Sequence, residues 1–266
     1  MALPVRIGAV RRLLKDVEAT AGAERGMAVG GARELAAVLR RELARGAQPG
    51  AVREGDSPED AAVLVYVLAH DRTAEDEHAL RRARRARTPI VAVVAGPVAA
   101  DVPIPWVLAT HVVRVPPGQG FPIDRIAQVI AARLGEEGAL LAARVPALRN
   151  AVCDGLTAKF ARRNGLIGAA VFVPGADLPL LALNQLRLVL RIAQAYGEEV
   201  GEERLPEVAA TLGVGFGLRA LARQILVAVP VARWALQGAV AYAGTRAIGE
   251  AAVRRFETGT VTRQPA

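Results

Sequence analysis

The chain is poor in the residues that usually carry chemistry: one cysteine, two lysines, three histidines and 4% aromatics among 266 residues. A lone Cys153 excludes an internal disulfide and a multi-cysteine metal cluster, and it suits a reducing compartment. Its default role is that of a small buried apolar side chain. Ser57 is the only serine, and no Cys–His pairing stands out, so a hydrolase nucleophile is not in view. His70, His78 and His111 do not fall at the helical or turn spacings of metal ligands, and no metal is expected. His70 and Asp71 do follow a strand, where α/β sites often form, but a solvated loop is the plainer reading. Residues 1–12 lack the long apolar core of a secretion signal.

What the chain has is apolar mass and arginine. The hydrophobic fraction is 52% and the formal charge +8, which favours anionic partners. Near-helical spacing of Val5, Val10, Leu13, Leu14 and Val17 predicts an amphipathic helix over residues 5–19. Met27 to Gly31 reads as a short strand and glycine turn into a second helix over 32–44, and residues 46–58 read as loop. Residues Ala61 to Ala69, with the unbroken apolar run Val63 to Leu68, predict a strand buried on both faces. Thr73 caps the next helix, with acids in its first turn and arginines between Arg81 and Arg87 near its end, matching the helix dipole. Ile90 to Ala95 and His111 to Val115 supply further strands, and residues 123–134 a helix. These units predict a small doubly wound parallel α/β domain. From Ala139 onward only helices are expected, over 139–163, 165–173, 178–196, 205–226 and 231–255. The expected division is an α/β domain at 1–138, a helical domain at 139–257 and a tail at 258–266.

A phosphate loop needs a glycine-rich turn, a Lys for phosphate charge and a Ser or Thr for magnesium. The matching junction here is Gly30-Gly31-Ala32-Arg33, a shorter turn without either side chain, and Gly96-Pro97-Val98 stands where a guanine-reading motif belongs. A nucleotide fold kept as a scaffold, with no cofactor and no catalytic residue, is the expectation; Gly30 and Gly31 are the candidates if a nucleotide does bind. The arginines at 81–87 lack interleaved aromatics, which disfavours nucleic acid. They read as a solvated, dipole-matched helix end or as a contact for phosphate or anionic lipid.

Residues 164–186 carry Asp177 as their only formal charge, and they are long enough to cross a hydrocarbon core of about 30 Å. Pro174-Gly175 and Pro179 interrupt them, and arginines flank both ends, Arg187 among them, which fits a re-entrant hairpin or surface-bound pair better than a span. Residues 208–249 are also apolar, with Gly213, Gly215 and Gly217 allowing close helix approach. Asp177 needs a partner, for which Arg219 and Arg223 are the candidates. A buried soluble core and a membrane-associated one both satisfy this pattern.

Pro174-Gly175-Ala176-Asp177, Asn184-Gln185, Tyr196-Gly197, the glycines from Gly213 to Gly217 with Arg219 and Arg223, Ala241 to Thr245, Ile248-Gly249 and Phe256-Glu257 follow in an order that resembles a known domain. It is the GTPase-associated domain of unknown function of YcjF-like bacterial inner-membrane proteins, also found after Era-type or dynamin-like G domains. The resemblance covers about a third of the chain. It implies a degenerate, P-loop-like G domain in front, attachment at the cytoplasmic side of the inner membrane, and a membrane, GTPase or other protein partner. It carries no catalytic residues. The expected function is a non-catalytic membrane-associated scaffold with a pseudo-GTPase domain; the alternatives are a GTP-binding regulator with atypical contacts and a soluble helical adaptor.

Overall fold

A computed structural model describes residues 8, 25–55, 58–69, 73–96, 103–170, 178–198 and 233–261. The expected helix at 5–19 (apart from Gly8), the helix at 205–226, His70, Asp71, Asp177, Arg219 and Arg223 lie outside the described residues.

The first half forms a parallel sheet: β1 (Met27–Gly31), β2 (Val52–Glu54), β3 (Val63–Leu68), β4 (Ile90–Val94) and β5 (Val112–Arg114), in the order β2-β1-β3-β4-β5. All four pairings are parallel, with Met27 opposite both Val52 and Val63. Helices α1 (Arg33–Leu43), α2 (Ala74–Arg85) and α3 (Ile123–Leu134) cross between or follow these strands. The step from β1 to β2 runs opposite to the step from β3 to β4, so right-handed crossovers place α1 and α2 on opposite faces of the sheet. Leu64, Tyr66, Leu68, Ala92 and Val94 pack with Leu80 and Ala83 of α2 and with Ile104. Their alternates Val63, Val65, Val67, Val91 and Val93 are equally buried, which is why these strands read as continuous apolar runs.

β2 corrects the sequence reading, which treats 46–58 as loop. Only one of its residues, Val52, is apolar, so no run or alternation announces it. It exists because β1 offers it an edge. The compact α/β unit runs from Ala23 to Val152, and the second unit takes in the described residues from Cys153 onward. Helix α4 (Gly138–Arg144) and the single turn Pro146–Leu148 pack onto α3 and its C-terminal turn, which carries the first unit past the composition change at Ala139.

The second unit holds α5 (Arg149–Ala170) from Cys153 onward, with α6 (Leu178–Ala195) and α7 (Arg233–Val261). The helix expected over 139–163 is divided at Val145-Pro146, where Val145 is extended (φ −124°, ψ 89°), as the residue before a proline prefers. The break expected at Asn164-Gly165 does not occur, because α5 continues through it to Ala170. A Cβ at Gly165 would lie 3.3 Å from the Gly238 carbonyl oxygen and 3.2 Å from Tyr242 Cβ, so this glycine sets helix spacing rather than a turn. Gly238 meets Gly165 and Gly249 meets Thr157, so α5 and α7 are antiparallel. Gln185 bonds Thr245 and Tyr196 bonds Glu257, so α6 and α7 are parallel.

Candidate functional site

In open α/β sheets, ligands bind outside the carboxyl ends of the strands, where the strand order reverses. Here that place is the β1/β3 edge, and a crevice of about 760 Å³ opens there. Its lining includes Gly30, Gly31, Arg33, Arg40, Glu54, Tyr66, Thr73, Asp76, His78 and Arg82.

The floor is made by close backbone approach. Gly31 has φ +100°, and a Cβ there would fall on the Val67 carbonyl oxygen and lie 2.8 Å from Val67 N. The next residue, Ala32, donates its N–H to that same oxygen at 2.9 Å. A Cβ at Gly30 would lie 3.2 Å from Gly55 Cα, and one at Gly55 would fall on the Gly30 backbone. Both glycines named from sequence therefore line the crevice, but their missing side chains are spent on strand packing. Ala32 alone separates the end of β1 from the start of α1, and no side chain caps that helix.

The polar groups of the wall face one another. Tyr66 Oη donates to Asp76 Oδ1 at 2.9 Å. The other oxygen of Asp76 accepts from the Thr73 N–H and hydroxyl, both at 2.8 Å, while Thr73 Oγ1 accepts from the Asp76 N–H at 3.2 Å. This reciprocal box caps α2. Arg40 reaches Glu54 at 3.1 Å, and Arg82 grips Glu59 with bonds of 2.9 to 3.1 Å. A backbone hydrogen bond of its own residue, and then Arg82, hold the Glu59 carboxyl below its usual value of 4.5. Arg33, Glu75 and His78 form the exposed rim. His111 stands apart, half-buried before β5, with its pKa lowered first by burial and then by the Arg133 charge. Among the described residues, no group of His, Cys, Asp and Glu is arranged to hold a metal ion.

The second notable arrangement lies inside the helical unit. Thr245, fully buried, accepts from Asn164 Nδ2 at 2.9 Å and from Gln185 Nε2 at 3.3 Å, and donates to the Ala241 carbonyl at 2.7 Å. Asn184 Nδ2 donates to Asn164 Oδ1 at 2.9 Å. Eleven residues along α6 and α7, the Tyr196 ring stacks on Phe256 at 6.1 Å and its hydroxyl donates to Glu257 at 3.2 Å. Sequence reasoning named Asn184, Gln185, Thr245, Tyr196, Phe256 and Glu257 as fragments in order; the fold brings them into two clusters. It missed Asn164, whose one signal is an amide in an apolar run. Arg187 is half-buried on α6, and Cys153 is buried as expected.

Among the described residues, no helix is long and apolar enough to cross a membrane. Compared with known proteins, the chain matches no family model, no curated protein and no solved structure.

Proposed function

We propose that the chain is a non-catalytic scaffold or adaptor: a nucleotide-type α/β unit that has lost its phosphate grip, joined to a helical unit that works at the cytoplasmic face of the inner membrane. The observation that carries this reading is the junction of β1 and α1. A phosphate loop must wrap several backbone N–H groups around the phosphates, whereas Ala32 alone makes this turn and its N–H is already given to Val67. The wall adds to this, since Tyr66, Thr73 and Asp76 are engaged with one another.

The helical unit supports the membrane part. The C-terminal turns of α5 and the N-terminal turns of α6 and α7 share one end, and there Leu166, Leu180 and Trp234 are 73%, 54% and 61% exposed. Glycines set the α5–α7 spacing, as in helix pairs that meet without a water-driven apolar seam. Asn184-Gln185 pairs with Thr245, and Tyr196 with Phe256-Glu257, so these described fragments pack against one another. Flotation with anionic liposomes tests attachment: protein that stays with the aqueous fraction returns the chain to the soluble-adaptor alternative.

The crevice itself favours the second reading, a GTP-binding regulator, because about 760 Å³ stands open where doubly wound sheets take ligands. Nucleotide titration against melting temperature separates the two. No guanine-specific rise is expected; such a rise would overturn the scaffold reading.

A further inference from the structure

The segment before β5 contains a turn built from an unexpected residue. The Val107 N–H bonds the Ile104 carbonyl at 3.2 Å, so Ile104-Pro105-Trp106-Val107 closes a β-turn. Trp106, at its third position, has φ +63°. A proline second and a positive φ third is the pattern of a type II turn, whose third position calls for glycine or asparagine. Ile104 is buried and Val107 packs against the same core, so both ends of the turn are anchored and its apex faces outward. A bulky side chain in this conformation opposes folding, and such outliers gather at binding surfaces.

What this places on the surface is apolar and cationic together. Trp106 is 47% exposed and Leu108 66% exposed. The Arg81 guanidinium lies 6.0 Å from the centre of the Trp106 ring. Arg84 and Arg85 follow Arg81 at helical spacing, on its face of α2, and both are exposed. Glu77 touches Arg81 only at 4.0 Å, and among the described residues Arg84 and Arg85 make no ion pair.

We infer that Trp106 and Leu108, flanked by Arg81, Arg84 and Arg85, form a docking surface of the α/β unit for an anionic membrane. Tryptophan settles at the headgroup level, leucine beneath it, and the guanidiniums meet lipid phosphates and carboxylates. An anionic bilayer offers an apolar layer for Leu108 directly beneath the charges that answer the arginines, whereas an acidic protein must supply a shaped apolar pocket beside its carboxylates. The inference takes its partner from the membrane reading above, yet it assigns contact to a surface that reading does not use.

With two tryptophans in the chain, Trp234→Phe leaves Trp106 as the only reporter in the full-length protein. Vesicles of phosphatidylcholine, alone or mixed with phosphatidylserine, are added while flotation and Trp106 emission are followed. The expected result is a blue shift and quenching by doxyl-labelled lipid with the anionic vesicles only. Partitioning should fall about fivefold for each of Arg84→Gln and Arg85→Gln. Trp106→Gly should keep the far-UV spectrum, because glycine suits the turn, while partitioning falls. Flotation with unchanged Trp106 emission overturns this surface and leaves attachment through the helical unit standing. Failure of the parent protein, with Trp234 in place, to float on either vesicle overturns both. An equal blue shift with soluble polyglutamate and no lipid assigns the surface to an acidic protein instead and overturns the lipid assignment.

Discussion

Replacing Gly31 with alanine tests whether the glycines of the β1 edge serve packing. An L side chain at φ +100° carries a backbone cost of about 1–2 kcal/mol. The added methyl also meets the Val67 backbone, with nitrogen and carbonyl carbon at 2.8 and 2.9 Å, and no flexible side chain is there to give way. β1 must move off β3, stretching the 2.9 Å bond from the Ala32 N–H to the Val67 oxygen, and an unsatisfied buried donor costs about 1–3 kcal/mol. The expected loss is therefore about 2–5 kcal/mol, a large part of a typical domain's stability. Gly118→Ala is the matched control: its φ is +76°, but a Cβ there meets nothing within 4 Å, so only the backbone cost remains. Urea unfolding followed by circular dichroism gives both midpoints, compared at equal slope. Equal destabilisation by the two substitutions would refute the claim that Gly31 is held by contact with β3.

Thr245→Val keeps the side chain's shape but removes the oxygen that accepts from the Asn164 and Gln185 amides, and it should cost about 1–3 kcal/mol in the same urea assay. Thr245→Ser retains the hydroxyl and should cost about 1 kcal/mol for the lost methyl. His111 has a lowered folded pKa, so its contribution is intact above its ordinary value of 6.5 and is lost as the pH falls from there through the lowered value. Unfolding midpoints measured across that range should decline more steeply for the parent than for His111→Gln; parallel curves would show that His111 titrates alike in both states. Arg82→Gln should let the Glu59 carboxyl titrate closer to 4.5, visible by NMR, with no change in the crevice's capping box at Thr73.

The elements that sequence resolved are those whose signal is short-range. Val63 to Leu68 announces a strand buried on both faces by its apolar run alone, and Thr73 with Asp76 announces a capped helix start, because both patterns are complete within a few residues. The α/β-then-helical order followed from where such runs stop. β2 was not legible, since Val52-Arg53-Glu54 becomes a strand only by pairing with β1. With β2 unseen, Gly55 and Glu54 could not be placed at the crevice.

By itself the sequence determined that no Lys, Ser or Thr stands in the turn after Gly31, and that residues 164–186 carry a single formal charge. Tertiary structure alone decided what the glycines are for: Gly31 against Val67, Gly30 against Gly55, Gly165 against Gly238. It also decided that Asn164, Gln185 and Thr245 form one buried network, and that Trp106 stands at a turn apex above Arg81. The physical reason is range: periodicity and capping act between neighbours along the chain, while close backbone approach and buried polar pairing act between segments tens of residues apart, whose meeting depends on the whole fold.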